Sequence, residues 1–210
     1  MLTRLWMAIA VTLLAFGCSH AKTKNPQLSK LEGKKVALVD VEGETTARQV
    51  VEVALVNQLV QRGTFLLVSK QDVQAARDLP GMSPVDDLGI AKKAGADFAL
   101  AAKVLEFDGT TRSGVSSETV NDSQLAEERG THEAMTERLY PVKSLTGKVR
   151  VELTFTNVAT GEIRSGIAEK QDTLVNEGKT EAVHLPPKLG YLENLSNEAF
   201  RDFFERYSRD

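Results

Sequence analysis

The alternation of hydrophobic and polar positions divides the chain into short elements, the first of which is a nearly continuous apolar run over residues 35–41. Such a run predicts a strand that is buried on both faces. Thr46 and Gln49 then form a capping-box pattern, and apolar residues at three- and four-residue spacing predict a helix over 46–62. Because residues 64–68 predict another strand, the succession of strand, long helix and strand predicts a right-handed parallel crossover.

Two shorter helices and a further strand are predicted next. Ser69 and Asp72 repeat the capping pattern and indicate a helix through about residue 77, whereas residues 83–86 begin another helix that ends at Gly95. Residues 97–107 contain alanines that suit a helix, but the flanking residues favour a strand. The first half of the chain therefore predicts helices packed on a sheet with a parallel core.

Residues 108–146 interrupt this pattern with a long polar stretch. Little of it could join a hydrophobic core, and a loop of this length inside a compact domain is usually either mobile or functional. We therefore predict a polar excursion from the domain here, with Arg129, Arg138 and Tyr140 as candidate anchors for a partner, because arginine and aromatic residues concentrate binding energy at interfaces.

Strict alternation over residues 149–158 predicts a strand with one buried face, and a tight turn at 159–162 followed by residues 163–171 predicts an antiparallel hairpin. A final helix over 197–208 is predicted, capped by Ser196. Together these elements predict a mixed α/β fold, in which a central sheet has a parallel β-α-β start, an antiparallel hairpin, helices packed on the sheet and a C-terminal amphipathic helix.

The final helix carries aromatic residues at i, i+3, i+4 and i+7, namely Phe200, Phe203, Phe204 and Tyr207. Such a stripe has two interpretations. It is most often the face that docks a helix on its sheet, and it can instead be a partner-binding surface. These four residues are therefore candidate partner-binding residues as well as candidate core residues.

The N-terminal segment has the features of an export signal. Residues 1–17 carry one positive charge, Arg4, followed by about a dozen apolar residues, fewer than the roughly 20 that a membrane-crossing helix needs. Cys18 directly follows Phe16 and Gly17, and this segment resembles the lipobox of bacterial lipoproteins. The resemblance implies cleavage before Cys18 and a covalent lipid on its thiol. An ordinary signal peptide that is cut nearby is the alternative.

The lipobox resemblance also implies an arrangement and a location. Residues 18–33 would form a lipidated tether, and residues 34–210 a single folded domain. Because more than one acyl chain gives stable anchoring, the protein would remain on its membrane. Ser19 follows the cysteine where lipoproteins retained in the inner membrane of enteric bacteria often carry aspartate, and by that resemblance the protein belongs on the periplasmic face of the outer membrane.

Composition and charge exclude several functions. The chain has 210 residues, a formal net charge of −3, one cysteine and three histidines. This net charge argues against a protein that coats nucleic acid. A single cysteine forbids both an intramolecular disulfide and a cysteine-rich metal site. His20, His132 and His184 lack metal-ligand spacing, and no glycine-rich phosphate loop follows the first strand. We expect no metal, nucleotide, nucleic acid or other cofactor beyond the lipid on Cys18.

The carboxylates near the ends of predicted strands are the nearest approach to a catalytic site. Asp40, Glu42 and Glu44 lie at the C-terminal end of one buried strand, and Glu106 and Asp108 lie beside them at the end of another. A pair of carboxylates can hydrolyse a glycosidic bond, but solvated carboxylates at strand ends are the favoured interpretation. We therefore predict no catalytic residue.

Two segments resemble a known family. The segment Gly-Ala-Asp-Phe-Ala-Leu-Ala-Ala-Lys-Val at 95–104 and the segment Val-Glu-Leu-Thr-Phe-Thr-Asn-Val-Ala-Thr-Gly-Glu-Ile-Arg-Ser-Gly at 151–166, in this order of elements, resemble the periplasmic domain of CsgG-type lipoproteins of curli secretion. Activator lipoproteins of penicillin-binding proteins and the N-terminal domain of the Tol-system β-propeller protein are similar in plan. The resemblance spans roughly residues 34–175 and implies a mixed α/β domain tethered to the outer membrane.

Within this family the polar excursion discriminates between functions. Strands of a secretion channel alternate apolar and polar residues, and residues 109–146 do not. We therefore expect a non-catalytic adaptor in cell-envelope or surface-structure assembly, with a periplasmic or outer-membrane protein as its partner. The alternatives are a ring-forming secretion subunit of the CsgG type and a periplasmic cell-wall enzyme or ligand-binding protein.

Overall fold

The fold is a five-stranded mixed sheet with helices packed on it, as the sequence predicts, and the helices cover both faces of the sheet. The computed structural model describes residues 31–63, 65–81, 83, 86–121, 135–179 and 183–206. Within them the elements, in chain order, are β1 (Lys35–Glu42), α1 (Thr45–Arg62), β2 (Leu66–Leu67), α2 (Lys70–Arg77), α3 (Asp87–Lys93), β3 (Phe98–Asn121), β4 (Met135–Asn157), β5 (Ile163–Glu177) and α4 (Lys188–Arg206). The strand order is β2-β1-β3-β4-β5.

The first strands and α1 form the predicted parallel unit. β1 pairs in parallel with β2 on one side and with β3 on the other. The cap of α1 differs from the capping box predicted at Thr46, because the Glu44 carboxylate accepts hydrogen bonds from the backbone N–H groups of Thr46 and Ala47. The helix ends at Gly63, whose φ of 60° is left-handed and favours glycine.

One face of the sheet carries α1 and α4, and the other carries α2 and α3. On the first face the core includes Val36, Leu100 and Val151 together with residues of both long helices. On the second face Val39 and Ile90 belong to a smaller apolar cluster with α2 and α3. The caps of α2 and α3 are Ser69 and Asp86, whose side chains accept from the N–H groups of Asp72 and Gly89 respectively.

The C-terminal helix is longer than predicted. It begins at Lys188 instead of residue 197, directly after two prolines, and the Tyr191 N–H donates to the Pro187 carbonyl at 3.1 Å. Ser196 is therefore not a cap. Its side chain is fully buried in the middle of α4, where its hydroxyl donates to the Leu192 carbonyl at 2.8 Å.

The polar stretch at 108–146 is largely strand, which corrects its prediction as a loop. β3 continues to Asn121 and β4 begins at Met135, and the two strands pair antiparallel, residue by residue, up to those ends. β5 continues the sheet beside β4 as far as the pair Val142 and Glu177. Backbone hydrogen bonds join β3 to β4 and β4 to β5, and this ladder continues from the part of the sheet that the helices cover. Residues 122–134 lie outside the described residues.

Candidate functional site: the β-arm

The paired strands extend well beyond the part of the sheet that the helices cover. β1 ends at Glu42 opposite Lys103, so from Val104 onward β3 has no strand on that side among the described residues. β3 contains 24 residues, which corresponds to about 80 Å at about 3.3 Å per residue. We call the projecting part the β-arm and define it as residues 109–121 of β3, 135–147 of β4 and 172–177 of β5.

The helix α4 marks where the core ends and the β-arm begins. Leu145 is the last buried hydrophobic residue toward the tip of β4, and the Lys188 ammonium at the start of α4 lies 3.4 Å from the Asp108 carboxylate. Toward the tip from this point, no large hydrophobic residue of the described β-arm is buried. The β-arm is therefore a two- to three-stranded ribbon with solvent on both faces.

Three hydrophobic side chains near the tip are the most exposed large hydrophobics of the described residues. Val115 is 71% exposed, Leu139 70% and Met135 68%. Val115 lies directly opposite Pro141, and alternate residues of a strand share a face, so these four residues lie on one face of the ribbon. The exposed Glu137 shares this face between Met135 and Leu139. Exposed apolar groups on one surface, with polar residues among and around them, are typical of an interaction site. We call Val115, Met135, Leu139 and Pro141 the apolar strip.

The opposite face of the β-arm carries charge and two of the predicted anchor residues. The Lys179 ammonium lies 2.9 Å from the Glu118 carboxylate and 5.0 Å from the centre of the Tyr140 ring. The hydrogen bond that the Lys179 ammonium donates to the Glu118 carboxylate raises the pKa of Lys179 to about 12. Arg138 is exposed two residues along β4 from Tyr140, on the same face. Arg129, the third predicted anchor, lies outside the described residues.

The aromatic stripe of the C-terminal helix is packed into the core. Phe200, Phe203 and Phe204 are 0%, 5% and 2% exposed, and the Phe204 ring lies 5.3 Å from that of Phe203 and 6.2 Å from that of Phe65. The prediction that these residues form a partner-binding surface does not agree with this placement, because buried rings offer a partner no surface while α4 is docked. Tyr207 lies outside the described residues.

The apolar strip was missed as a site because the stretch looked uniformly polar. Serine and threonine fill most positions around Val115, so no period-2 hydrophobic signal arises. The available signal was the density of β-branched residues such as Thr110, Thr111 and Thr119, which favour strands.

The entry of the chain and the tip of the β-arm lie at opposite ends of the sheet. Leu31 is buried, and its carbonyl accepts from the Lys34 N–H just before β1 begins. β3 runs parallel to β1, so the β-arm extends from the far end of the sheet. Cys18 lies outside the described residues, 13 positions before Leu31. Among the described helices, none is long and apolar enough to cross a membrane.

The carboxylates considered for catalysis have structural contacts. Glu44 caps α1, Glu106 pairs with Lys148 at 2.8 Å, and Asp108 pairs with Lys188. Within the described part of the chain, no group of three or more histidine, cysteine, aspartate or glutamate side chains is arranged to hold a metal ion. Of the three histidines, His184 is described, and its backbone carbonyl accepts from the Asn176 amide at 2.7 Å.

Asp40 and Glu42 lie close to Asp87, at the end of β1 nearest the β-arm. Burial, followed by the negative charge of Asp40, raises the pKa of the Asp87 carboxyl, whereas Arg77 lowers it. The carboxylates at this end of β1 therefore repel one another.

Comparison with known proteins gives similarity in solved structures only. No protein-family model matches the chain, and no curated protein matches it. The LpoB C-terminal domain from Salmonella enterica is 20% identical, covers 73% of this chain and 99% of its own, and has a TM-score of 0.40. Lipoprotein GNA1162 from Neisseria meningitidis is 10% identical, covers 81% of this chain and 97% of its own, and has a TM-score of 0.39. A minor lipoprotein from Acinetobacter baumannii is 13% identical, covers 85% of this chain and 92% of its own, and has a TM-score of 0.35. The structural neighbours of this chain thus include bacterial lipoproteins.

Proposed function

We propose that this chain is a non-catalytic accessory lipoprotein of the bacterial cell envelope. Cys18 carries the lipid that holds it at the periplasmic face of the outer membrane, and the β-arm engages a periplasmic or outer-membrane protein during envelope or surface-structure assembly. The observation that carries this proposal is the apolar strip, three of whose side chains are 68–71% exposed.

The energetics favour an interface at this place. Fully burying a side chain such as valine, leucine or methionine contributes about 1.5–3 kcal/mol relative to leaving it in water. Val115, Leu139 and Met135 forgo about two thirds of that contribution in the isolated chain, because they are 68–71% exposed. A partner that covers the apolar strip would recover it, and the ribbon beneath is already ordered by its ladder of backbone hydrogen bonds.

The proposed plan of the molecule follows the CsgG-type resemblance. The resembling segment at 95–104 forms the entry to β3, and that at 151–166 forms the β4–β5 turn, so both lie at the base of the strands that form the β-arm. The lipobox resemblance at Cys18 supports the anchor. The contacts of Glu44, Glu106 and Asp108 with a helix terminus and with lysines support a non-catalytic role.

Site-specific crosslinking tests the interface in cells. A photoreactive amino acid at Leu139 should give one discrete adduct, and the same group at the exposed Leu79, on the turn after α2, should not. The double substitution of Val115→Ser and Met135→Ser should remove the adduct without lowering the melting temperature. Equal labelling from both positions, or an adduct that survives the double substitution, would contradict the proposal.

Self-assembly into a ring is a second candidate that one observation favours. The edge of β3 from Val104 to Asn121 lacks a strand neighbour among the described residues. It contains neither lysine nor proline, and its protecting charges are confined to Glu106, Asp108, Arg112 and Glu118. An edge of this kind can pair with a second copy of the chain. Native mass measurement of the detergent-solubilised full chain distinguishes the two, since a ring requires one defined oligomer and the adaptor requires none.

A further inference from the structure

Exposed lysines are concentrated at the end of the sheet where the chain enters the domain. Lys34 and Lys35 lie at the start of β1, and Lys92 and Lys93 at the end of α3; all four are exposed. Lys34, Lys92 and Arg164 line the same groove of about 540 Å³, which contains the beginnings of β1 and β3 and the β4–β5 turn. We call Lys34, Lys35, Lys92 and Lys93 the basic end.

The acidic groups near the basic end are bound by other partners. The Asp97 carboxylate accepts from the backbone N–H of Lys35 at 2.9 Å, and the Glu162 carboxylate lies 2.6 Å from the Arg164 guanidinium. These two carboxylates are the acidic side chains that line the groove. Glu32, which lies two residues before Lys34, is a third nearby carboxylate; the four lysines and Arg164 still outnumber these three acidic groups and leave a formal charge of +2 at this end of the sheet.

The opposite end of the same sheet is acidic. Asp40, Glu42, Asp86 and Asp87 are grouped where β1 ends, and the first three all raise the pKa of the Asp87 carboxyl, after its burial. The sequence shows the same asymmetry, because residues 19–35 contain five lysines and one glutamate whereas the whole chain carries −3. Lysines are thus grouped at the end of the sheet on the side of Cys18 and carboxylates at the opposite end of β1, whereas the β-arm itself carries both signs, including Arg112, Arg138 and Lys143.

We propose that the basic end binds the anionic phospholipid headgroups of the bilayer that carries the lipid anchor, and that this contact holds the β-arm directed away from the membrane. The proposal rests on the proposed acylation of Cys18. Clusters of lysine beside a membrane anchor are attracted to anionic lipid, and the acidic groups at the far end are repelled from it. The four lysines lie at the end of the domain from which the tether leaves, where lipid headgroups come within reach.

An orienting contact is needed because the tether alone does not set a direction. The 13 residues from Cys18 to Leu31 span at most about 45 Å when fully extended. A tether of this length would allow the domain to turn and bring the β-arm, whose two long strands of 13 residues span about 43 Å, back to the bilayer. A charge contact at the basic end removes that freedom. The apolar strip then faces partners that approach from the periplasm.

Energy transfer between the β-arm and the bilayer tests this orientation. The full acylated chain, labelled with a donor dye at Ser117→Cys, is reconstituted into phosphatidylcholine vesicles or into vesicles that also contain phosphatidylglycerol, both with acceptor-labelled headgroups. Acylated Cys18 has no free thiol, so the label is specific. We expect weak transfer in the anionic vesicles at low salt. Transfer should increase severalfold in the neutral vesicles, or at about 0.5 M salt, where electrostatic attraction is screened beyond a few Å.

Two matched variants assign the effect to the basic end. Substitution of Lys34, Lys35, Lys92 and Lys93 by glutamine should raise transfer in anionic vesicles to the level of neutral ones. The control replaces four lysines elsewhere with glutamine and changes the net charge equally, at Lys70, Lys103, Lys143 and Lys148, and should leave transfer low. Unchanged melting temperatures verify that both variants fold.

The contradicting outcomes separate this proposal from the lipid anchor. If energy transfer does not depend on lipid charge, and the protein still floats with the vesicles at about 0.5 M salt, the role of the basic end is overturned. The lipid anchor is then still supported. Protein that is lost from the vesicles at that salt overturns the anchor and this proposal with it. An equal increase in both lysine variants shows a general charge effect and also overturns the proposal.

Discussion

Gly109 and Gly147 lie directly opposite each other on β3 and β4, beneath the first turns of α4. A Cβ atom on Gly147 would lie 2.5 Å from Leu195 Cδ1 and 2.9 Å from Tyr191 Cε1, and one on Gly109 would lie 3.0 Å from Lys188 Cε. The two glycines therefore allow α4 to approach the sheet closely at the boundary between the core and the β-arm.

Substitution of Gly147 by alanine should destabilise the protein by about 1–3 kcal/mol, because the buried Leu195 and Tyr191 have little room to move. Gly109→Ala should cost less, since it meets a flexible lysine side chain. Urea unfolding measures both, with Gly114→Ala in the β-arm as the control, where nothing lies within 4 Å of the new Cβ. A Gly147→Ala variant as stable as the control would show that α4 does not depend on this contact.

Truncation of Phe204 should cost about 3–5 kcal/mol, because the ring is buried against Phe65 and Phe203, and the Arg62 guanidinium lies 5.4 Å from its centre. Leu139→Ala on the apolar strip should change stability by no more than about 0.5 kcal/mol. Chemical unfolding of the two variants compares core with surface. If Phe204→Ala unfolded at the wild-type midpoint, the assignment of the aromatic stripe to the core would be wrong.

Glu118→Gln should lower the pKa of Lys179 from about 12 toward its ordinary value of 10.5, because the carboxylate that holds the ammonium is removed. Since the folded-state pKa is raised, the pairing stabilises the β-arm below about pH 10.5 and this contribution is lost as the pH rises through about 12. Side-chain NMR of lysine across this range measures the change. Glu177→Gln is the control and should have the smaller effect, because its carboxylate lies farther away, at 3.6 Å.

Most elements that pack against a core were predictable from sequence, whereas the outer strands of the β-arm, which do not, were missed. The helix α1 and the β4–β5 hairpin place apolar residues at the period of their structure, so their types followed directly. The outer half of β3 has solvent on both faces and no such period. The start of α4 was predicted at Ser196 because serine often caps a helix. Its hydroxyl instead donates to the Leu192 carbonyl inside α4.

The candidate site illustrates the same limit. The sequence places aromatic residues at helical spacing in 200–207, and that signal cannot separate a docked face from an exposed one without the sheet beside it. The apolar strip depends on the pairing of Val115 with Pro141, two residues that are 26 positions apart in sequence. Its detection required the strand register that the structure provides.

Both proposals depend on acylation of Cys18, so the most direct test is intact-mass analysis with membrane fractionation of the expressed protein beside a Cys18→Ser variant. We predict a mature chain that begins at Cys18, carries the mass of its acyl chains and is recovered with the outer membrane, whereas the variant loses both the acyl mass and that location. A soluble mature protein without added mass would contradict the account and return a periplasmic enzyme or ligand-binding protein to consideration.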